Sequence, residues 1–583
     1  MRTLATLTPP GTFAGQERNS PLVGRMVANS AFLHALLLHG SFDDLFLFVG
    51  EDRDIDPLRA VMEAIGTGAP ARNVRIANVF ELPAVLAGGG ISVIHLLSTT
   101  GFFDIAWLRD RYATEPVPVT AQIHSISYPG SIQEWLRGAI LPASPRDAIV
   151  CSSTAGRDAI ASMMRRLAGA AIGRLPAVTA AGDAAASVSA AVSAAASAPA
   201  STPASALPPL PCGLTVIPLG IDVDAVSGGD RARLRKKLSI PESAFVLLSV
   251  GRFTEYDKMD LFPLLQAFRG AISRTPPGDA RPLFLVMAGA RQGTRTPEML
   301  QLWATALGIN DRVRLVVDFP EGEKKDLLAA ADLFVSPCDS PQETFGLAVV
   351  EAMAAGLPVV VSDYDGYKDT ATEEVGIRVP TRACADLSEL ADLAILMYER
   401  PLHLMLGQNV EVDLAALEEA IVEMHQNERR RTAAAQNARR RARDLYAWPR
   451  VIASYEREWR RLAAMPSGRH ERPARNPLSL DYDTAFANYP SERLSTERTV
   501  QRTPFAEEAI AKGGHPIYPE LRYLISDPRV ALVYQSSVEP VTIARLTSLL
   551  VDSDPQRPAW HAQYLIGWML KHGMLGSPRG SVA

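Results

Sequence analysis

A strand, a short helix and a second strand follow one another between residues 333 and 361, and this unit constrains the fold most strongly. Good helix formers at 346–355 predict the helix, and Gly356 followed by Pro358 predicts its end. Glycine adopts the left-handed backbone that closes helices, and proline cannot continue one. The β-branched run 359–361 is typical of a strand buried on both faces. Such a unit indicates an open, parallel α/β sheet.

Two carboxylates, Glu343 and Glu351, frame the predicted helix. Eight helical steps rise about 12 Å, more than the roughly 5–9.5 Å between the paired carboxylates of glycosidases. We therefore interpret them as acceptors for two ends of one extended ligand; the alternative is two ordinary surface charges. Backbone amides between them form a helix N-terminus suited to phosphate, namely those of Thr344, Phe345, Gly346 and Leu347. Hydroxyls at both carboxylates with phosphate between them describe a nucleotide sugar.

The surrounding pattern, P-x-E-x-F-G-L-x-x-x-E-A-M-A-x-G-x-P-V-V, resembles retaining GT-B glycosyltransferases of the E-x7-E type (group 1, family 4-like). The resemblance covers residues 20–462, apart from one low-complexity stretch. It implies two Rossmann-like, doubly wound α/β domains that face each other across a cleft. It also implies metal-independent transfer of a hexosyl group, with retention, from a UDP- or GDP-linked donor to a hydroxyl acceptor. The donor is a substrate, so no cofactor is expected.

The resemblance assigns roles to the two carboxylates and to two cations. Glu343 would hold the hydroxyls of the donor sugar, and Glu351 the ribose hydroxyls of the nucleotide. Arg252 and Lys258 follow a predicted strand at 245–250 and would neutralise the donor diphosphate. Cations can stabilise the leaving diphosphate in place of a metal ion. Five residues separate this pair, where four are usual in the family.

Two residues of the first half of the chain complete the predicted site. His124 follows the strand-like residues 117–123, at the edge of the sheet where ligands bind. The resemblance implies that it faces the donor sugar; the alternative is a histidine satisfied by loop carbonyls. Gly24 precedes the first helical pattern and is either the counterpart of the family's glycine-rich turn or a simple turn glycine.

Composition sets broader limits. A net charge of -5 gives no overall reason to expect nucleic acid as a partner. The cysteines lack metal-ligand spacing and are expected to be reduced thiols of a cytoplasmic protein: Cys151, Cys212, Cys338 and Cys384. No apolar run reaches the roughly 18 residues that a transmembrane helix needs. Peripheral contact with the inner face of the membrane stays open.

The expected domain order has four parts. These are a first Rossmann-like, acceptor-side domain at 1–221, a nucleotide-sugar domain at 222–445, a helix crossing back at 446–463, and a linker with a helical accessory module at 464–583. Within the first domain, the Ala/Ser/Pro-rich residues 168–211 are expected to be a disordered insertion. The accessory module faintly resembles a winged helix. Its second helix carries few cations, which favours a protein-interaction module over DNA binding.

Two further questions stay open at this level. The basic runs 428–431 and 439–443 are either a solvated helix face or a contact with an anionic membrane or acidic acceptor. The acceptor itself is a glycan, a lipid-linked sugar or a polysaccharide precursor. The rival function is a catalytically inactive GT-B protein that senses nucleotide sugars or serves as a scaffold through residues 464–583. The unusual Arg252–Lys258 spacing, the thinned glycine turn and the appended module favour that rival.

Overall fold

The structure is a computed structural model. It describes residues 2–9, 11–13, 24–66, 72–141, 143–172, 210–276, 278–383, 385–466, 476–479, 482–486, 489–491, 493–511, 517–518 and 521–578. Most of the predicted insertion at 168–211 lies outside these residues, as do most of the linker that follows residue 466 and Cys384. The other three cysteines are free and buried.

The first domain is built on a parallel sheet of seven strands in the order β3-β2-β1-β4-β5-β6-β7. The central strands are buried along their whole length, as apolar runs between two helical layers require. The strands are β1 Thr3–Leu7, β2 Asp44–Val49, β3 Asn73–Asn78, β4 Val93–Leu96, β5 Val119–Gln122, β6 Ala148–Cys151 and β7 Gly213–Val216.

The second domain repeats this plan with six parallel strands in the order β10-β9-β8-β11-β12-β13. The strands are β8 Phe245–Val250, β9 Leu283–Gly289, β10 Val313–Val317, β11 Leu333–Ser336, β12 Val359–Ser362 and β13 Gly376–Val379. Both strand orders reverse beside their first strand, which is the Rossmann arrangement and opens a crevice at the carboxyl ends. The predicted fold of two Rossmann-like domains is confirmed.

Helices cover both faces of each sheet. Those of the first domain are α1 Gly24–His39, α2 Ile55–Ile65, α3 Leu82–Gly88, α4 Phe102–Tyr112, α5 Ser131–Gly138 and α6 Thr154–Ile172. Those of the second domain are α7 Arg231–Lys237, α8 Phe262–Ser273, α9 Thr296–Ala306, α10 Lys324–Ala330, α11 Leu347–Ala354, α12 Tyr367–Thr370, α13 Ser388–Leu393, α14 Glu399–Gln408, α15 Leu414–Gln426 and α16 Glu428–Arg441.

Glycine is required at both ends of α11. Gly346 precedes the helix with φ +93°, and a Cβ there would lie 2.4 Å from the ring of Tyr367. Gly356 follows the helix with φ +86°. Its amide and that of Leu357 donate back to Met353 and Ala352, at 2.9 Å each, in the Schellman pattern that ends a helix. The predicted strand–helix–strand unit is therefore present with both of its boundaries.

The chain returns to the first domain through α17, Trp448–Ala464. Its buried residues Ile452, Tyr455 and Trp459 pack with Phe32 and other core residues of the first domain. The apolar face of this helix therefore packs against the first domain. Upstream, Ala442–Tyr446 forms a short π-helical segment that continues α16.

Residues between β13 and α15 form an excursion that sequence analysis did not anticipate. Strands β14 Thr381–Ala383 and β15 Val410–Val412 pair antiparallel, and α13 and α14 lie between them. The far side of α14 packs against the loop after β8: Gln408 Nε2 donates to Asp260 at 2.9 Å, and Arg400 lies over the ring of Tyr256 at 5.0 Å. The excursion therefore borders the predicted donor site.

The C-terminal region is a small module with its own core. It contains an antiparallel sheet of three short strands, β16 Thr499–Arg502, β17 Val541–Thr542 and β18 Leu575–Gly576, and the helices α18 Tyr482–Ala485, α19 Pro504–Ala511, α20 Asp527–Ser536, α21 Ile543–Ser553 and α22 Ala559–Lys571. It contacts the first domain through Phe80, whose ring stacks on Tyr523 at 5.3 Å.

Several arginines of the predicted basic runs have structural partners. Arg431 is buried and donates to the carbonyls of Met424 and His425, at the end of α15. Arg439 donates to the carbonyl of Ala355, at the end of α11. Cations at helix C-termini are stabilising because the carbonyls there lack partners. These contacts favour a structural role for these two residues. Within the described residues, no helix is long and apolar enough to cross a membrane.

We predict that the stability of the protein falls in acid because of His95, on β4. The ring is buried among Phe32, Tyr455 and Trp459, and its Nδ1 lies 2.9 Å from Thr120 Oγ1. Burial lowers the pKa of His95 to about 3, so the folded protein keeps it neutral. Below pH 6.5, the ordinary pKa of histidine, this residue binds a proton in the unfolded chain but not in the folded chain. Stability is therefore lost as the pH falls, by about 1.4 kcal/mol per pH unit.

Urea unfolding between pH 7.5 and 4.5 measures this slope. His95→Phe should preserve the aromatic packing and flatten the dependence on pH by close to one proton. Equal slopes in the two proteins would show that His95 is not the group responsible.

Candidate functional site

The candidate site lies at the carboxyl ends of the second sheet. Arg252 and Lys258 occupy the loop after β8, and Glu343 occupies the loop after β11. Since β8 and β11 are hydrogen-bonded neighbours in the sheet, their loops meet at one edge. The structure therefore brings the predicted cations and the first predicted carboxylate together in the crevice where ligands of such sheets bind.

A buried ion pair joins the two loops. Lys258 Nζ lies 2.5 Å from Glu343 Oε2, and the two side chains are only 18% and 12% exposed. Burial by itself disfavours charge on either group, but their mutual attraction outweighs it. The pKa of Lys258 is raised above its ordinary value and the pKa of Glu343 is lowered. Both groups are charged at neutral pH.

The other oxygen of Glu343 fixes the start of α11. Glu343 Oε1 accepts hydrogen bonds from the amides of Gly346 at 2.8 Å and Phe345 at 3.3 Å. Two of the four amides predicted to receive phosphate thus donate to the carboxylate in this structure. The other two amides belong to Thr344 and Leu347. The carbonyl of Thr344 accepts a hydrogen bond from the hydroxyl of Ser152 in the first domain at 3.1 Å, and Leu347 begins the helix.

Arg252 is the more accessible of the two cations. Its side chain is 32% exposed and donates to Asp257 at 3.0 Å and to Gln292 at 3.2 Å. Asp257 lies on the same loop as Arg252, and Gln292 lies on the neighbouring loop after β9. The guanidinium is therefore oriented but retains donors for an anionic ligand, since it carries five N–H groups.

Glu351 also has a cationic partner, which sequence analysis missed. Lys324, at the start of α10, places Nζ 2.6 Å from Glu351 Oε1. The side chains are 24% and 14% exposed. Sequence spacing gave no sign of this pair, because the two residues lie on different helices, α10 and α11, and become neighbours only in the folded domain.

A cavity of about 430 Å³ opens beside Glu351, between the two domains. Its apolar wall comes from α1, from the linker strand that follows β7 and from α17, through Ala31, Phe32, Leu219, Ile221, Trp448 and Val451. Its polar side comes from Glu351, Lys324, Lys325 and Asp222. The cavity is large enough for part of a drug-sized ligand, for which pockets of about 300–1,000 Å³ are typical.

His124 follows β5 on the facing domain. Its Nε2 lies 2.9 Å from the carbonyl of Leu97 and 3.0 Å from Asn29 Oδ1. Two acceptors around Nε2 require that this nitrogen carry the hydrogen, which leaves Nδ1 as an acceptor in the neutral ring. Burial lowers the pKa of His124 to about 4, so the ring is neutral at physiological pH. The alternative interpretation of His124 was a histidine satisfied by loop carbonyls, and the carbonyl of Leu97 is one such partner.

Hydrogen bonds connect His124 to the crossing helix. Gln122 Nε2 donates to Asn29 Oδ1 at 2.9 Å, and the Tyr455 hydroxyl donates to Gln122 Oε1 at 3.3 Å. Asn29 and Gln122 are each 2% exposed. The orientation of His124 therefore depends on α17, a helix that arrives more than three hundred residues later in the chain.

Asp365 is a further titratable group beside the pair. It lies in the loop after β12 with φ +47°, a conformation that residues other than glycine rarely adopt. Burial and the nearby Glu343 charge raise the pKa of Asp365 to about 8. From the sequence, this loop was expected near the site but had no predicted role. The strained backbone at Asp365 could not be predicted, because strain is not visible in a sequence.

Gly24 is the first residue of α1. The residues just before it lie outside the described chain, so the shape of the predicted glycine turn is not part of this structure. Within the described residues, no group of three or more histidine, cysteine or acidic side chains could hold a metal ion.

Comparison with known proteins places the second domain. Residues 230–412 match the family described as "Glycosyl transferases group 1". D-inositol 3-phosphate glycosyltransferase of Geodermatophilus obscurus is 35% identical over 173 residues, 29% of this chain and 38% of that protein. The protein of the same name from Thermobispora bispora is 33% identical over 185 residues, 31% of this chain and 42% of that protein. The chain thus spans about two fifths of the length of these relatives.

Solved structures resemble this chain at lower sequence identity. The Anabaena protein HepE in complex with UDP has a TM-score of 0.47 and 15% identity, with 78% of this chain and 99% of that chain covered. The N-terminal domain of Candida albicans trehalose-6-phosphate phosphatase has a TM-score of 0.48 and 10% identity, with coverages of 80% and 97%. The fold is established by the strand orders given above. The second-domain residues of the site, Arg252, Lys258, Glu343 and Glu351, fall within the group 1 glycosyltransferase match.

Proposed function

We propose that this protein is a retaining glycosyltransferase that transfers a hexosyl group from a nucleotide sugar to a hydroxyl acceptor without a metal ion. One observation carries the proposal. The buried Lys258–Glu343 pair lies at the carboxyl edge of the second sheet, beside Arg252 and directly before α11. The family match over residues 230–412 supports the reaction class.

The diphosphate of the donor would bind Arg252 and Lys258. Charge develops on the leaving diphosphate as the glycosidic bond breaks, and cations fixed in place stabilise it without reorganisation. Lys258 is held by Glu343, and Arg252 by Asp257 and Gln292. Both are therefore oriented before the donor arrives, which lowers the entropic cost of reaching the transition state.

Glu343 would accept hydroxyls of the donor sugar. A carboxylate offers about four acceptor positions, and here Oε1 receives two amides while Oε2 receives Lys258. One position is left for a sugar hydroxyl. Because the carboxylate is already fixed by the start of α11, the sugar would be placed relative to the same helix that borders the nucleotide.

Glu351 would accept the ribose hydroxyls, at the mouth of the interdomain cavity. Lys324 pairs with one of its oxygens. Ribose would share or replace this contact, and the nucleoside would enter the apolar cavity lined by α1 and α17. A UDP- or GDP-linked donor fits this division into an apolar wall and a carboxylate.

His124 would contact the donor sugar from the first domain. Its Nε2 is engaged by Leu97 and Asn29, so Nδ1 is the atom available to accept from a sugar hydroxyl. We assign no covalent nucleophile. The acceptor hydroxyl would attack on the face from which the nucleotide leaves, with the departing phosphate receiving its proton, which gives retention. A glycan, a lipid-linked sugar or a polysaccharide precursor could supply that hydroxyl.

We predict that one family of nucleotides raises the melting temperature of the protein and that Glu351→Ala abolishes the effect. UDP, GDP, ADP and their hexose conjugates are compared in a thermal-shift panel, with magnesium or with EDTA. A ligand at 100 times its Kd stabilises the folded state by about 2.7 kcal/mol. The shift should be the same with magnesium and EDTA.

The control for this panel is Glu298→Ala, which removes an exposed carboxylate on α9 and leaves the cleft intact. Cooperative unfolding with no shift for any nucleotide would overturn the donor assignment. A shift without detectable transfer or hydrolysis of the conjugate would favour the rival function, an inactive nucleotide-sugar sensor.

We predict that Arg252→Ala lowers kcat about 10²- to 10³-fold, the range seen when one preorganised donor to developing charge is removed. Arg252 is partly exposed and borne on a loop, so the variant should fold normally. The measurement is donor turnover at saturating concentration. Arg291→Ala is the matched control, because Arg291 lies on a neighbouring loop and pairs with Glu298 at the surface. Equal kcat values for the two variants would contradict the role of Arg252.

A further inference from the structure

The α13–α14 excursion touches both halves of the cleft through one residue. His403, on α14, is 1% exposed. Its Nδ1 lies 3.0 Å from Gln342 Nε2, on the loop of the second domain that carries Glu343. Its Nε2 lies 3.3 Å from the carbonyl of Ser127, on the loop of the first domain that begins at His124.

The surroundings of His403 reinforce this bridge. The ring of Tyr128 packs edge-on against it, with centroids 5.0 Å apart. Tyr128 follows Ser127 in the chain, so the same loop contacts His403 through a carbonyl and through a ring. An amide hydrogen from Gln342 requires an acceptor at Nδ1, and the Ser127 carbonyl requires a hydrogen at Nε2. The neutral imidazole satisfies both conditions with one tautomer.

We propose that His403 is a positioning residue that holds the His124 loop and the Glu343 loop at the separation needed for transfer. The inference rests on the proposed function for its catalytic consequence. Gln342 is the chain neighbour of Glu343, and Ser127 is three residues from His124, so His403 reaches the site only through these two loops. Neither loop is tied to the other by covalent structure, since they belong to different domains.

The physical reason is the cost of misplacement. A shift of about 1 Å in a group that positions a substrate can cost 10²-fold in rate. Other contacts already hold the domains together at a distance from the sugar, such as Thr154 with the Asp369 carboxylate at 2.5 and 2.6 Å. Loss of the His403 bridge should therefore loosen the two loops locally and leave the fold intact.

The kinetic test uses two substitutions of His403 and two controls. His403→Phe keeps a planar ring against Tyr128 and loses both hydrogen bonds. His403→Gln can donate and accept from one amide and should restore most of the loss. His425→Phe removes another buried histidine, which bonds the Arg281 carbonyl at 3.0 Å at the opposite edge of the same sheet. Met405→Ala alters an exposed residue of the same helix.

We predict that His403→Phe lowers kcat ten- to a hundredfold and changes the Kd of UDP and GDP, each measured alone, by less than twofold. The nucleoside diphosphate would bind Arg252, Lys258 and Glu351, and the contacts of His403 reach none of these three residues. His403→Gln should recover kcat to within threefold of the parent. The two controls, His425→Phe and Met405→Ala, should have the kcat of the parent. A kcat of His403→Phe within twofold of the parent would overturn the proposal, as would an equal loss in His425→Phe.

Hydrogen exchange separates this proposal from the function on which it rests. The amides of residues 125–128 and 130, and those of Gln342 and Glu343, should exchange at least threefold faster in His403→Phe than in the parent or in His425→Phe, with no nucleotide present. If the parent protein neither binds nor turns over nucleotide sugars, the proposed function fails while the exchange result still decides the bridge. Unchanged exchange in both segments would overturn the bridge even in an active enzyme.

Discussion

The buried ion pair between Lys258 and Glu343 is the constraint on which the rest of the site depends. Charges removed from water are costly unless they are paired and hydrogen-bonded, and here each partner has the other within 2.5 Å. Removal of either residue would leave an uncompensated charge in a buried position. The pair also joins the loops after two neighbouring strands, and the second oxygen of Glu343 fixes the start of α11. The pair therefore fixes the relative positions of the sheet edge, α11 and Lys258.

The first domain is connected to this fixed edge by contacts from distant parts of the chain. The crossing helix orients His124 through a chain of hydrogen bonds. Buried Tyr455 bonds Gln122, Gln122 bonds Asn29, and Asn29 bonds His124. The excursion after β13 reaches across the cleft through His403. Each connection comes from a segment outside the two sheets, added after the strands that carry the site. The sheets supply the crevice, and these later segments fix its width.

Local patterns predicted the elements that depend on local physics. The end of α11 followed from Gly356 and Pro358, because a left-handed glycine and a proline act within a few residues. Strands buried on both faces were visible as β-branched runs. The partners of the site residues were not predictable: Lys324 meets Glu351 and His403 meets Gln342 only after segments distant in the sequence assemble. The roles assigned to Arg252, Lys258, Glu343, Glu351 and His124 came from a family resemblance and stay predictions.

The charge balance of the cleft bears on which ligand it can hold. Arg252 and Lys258 face Asp257 and Glu343, so the four groups nearly cancel before any ligand binds. Further ionised carboxylates at the same edge would repel a diphosphate. Burial raises the pKa values of Asp339, on the loop after β11, and of Asp365, on the loop after β12, to about 8, so both are mainly protonated at neutral pH. Uncharged acids at these two positions add hydrogen-bonding groups without added repulsion. The edge is therefore polar and equipped with two oriented cations, an arrangement that suits a diphosphate joined to an uncharged sugar.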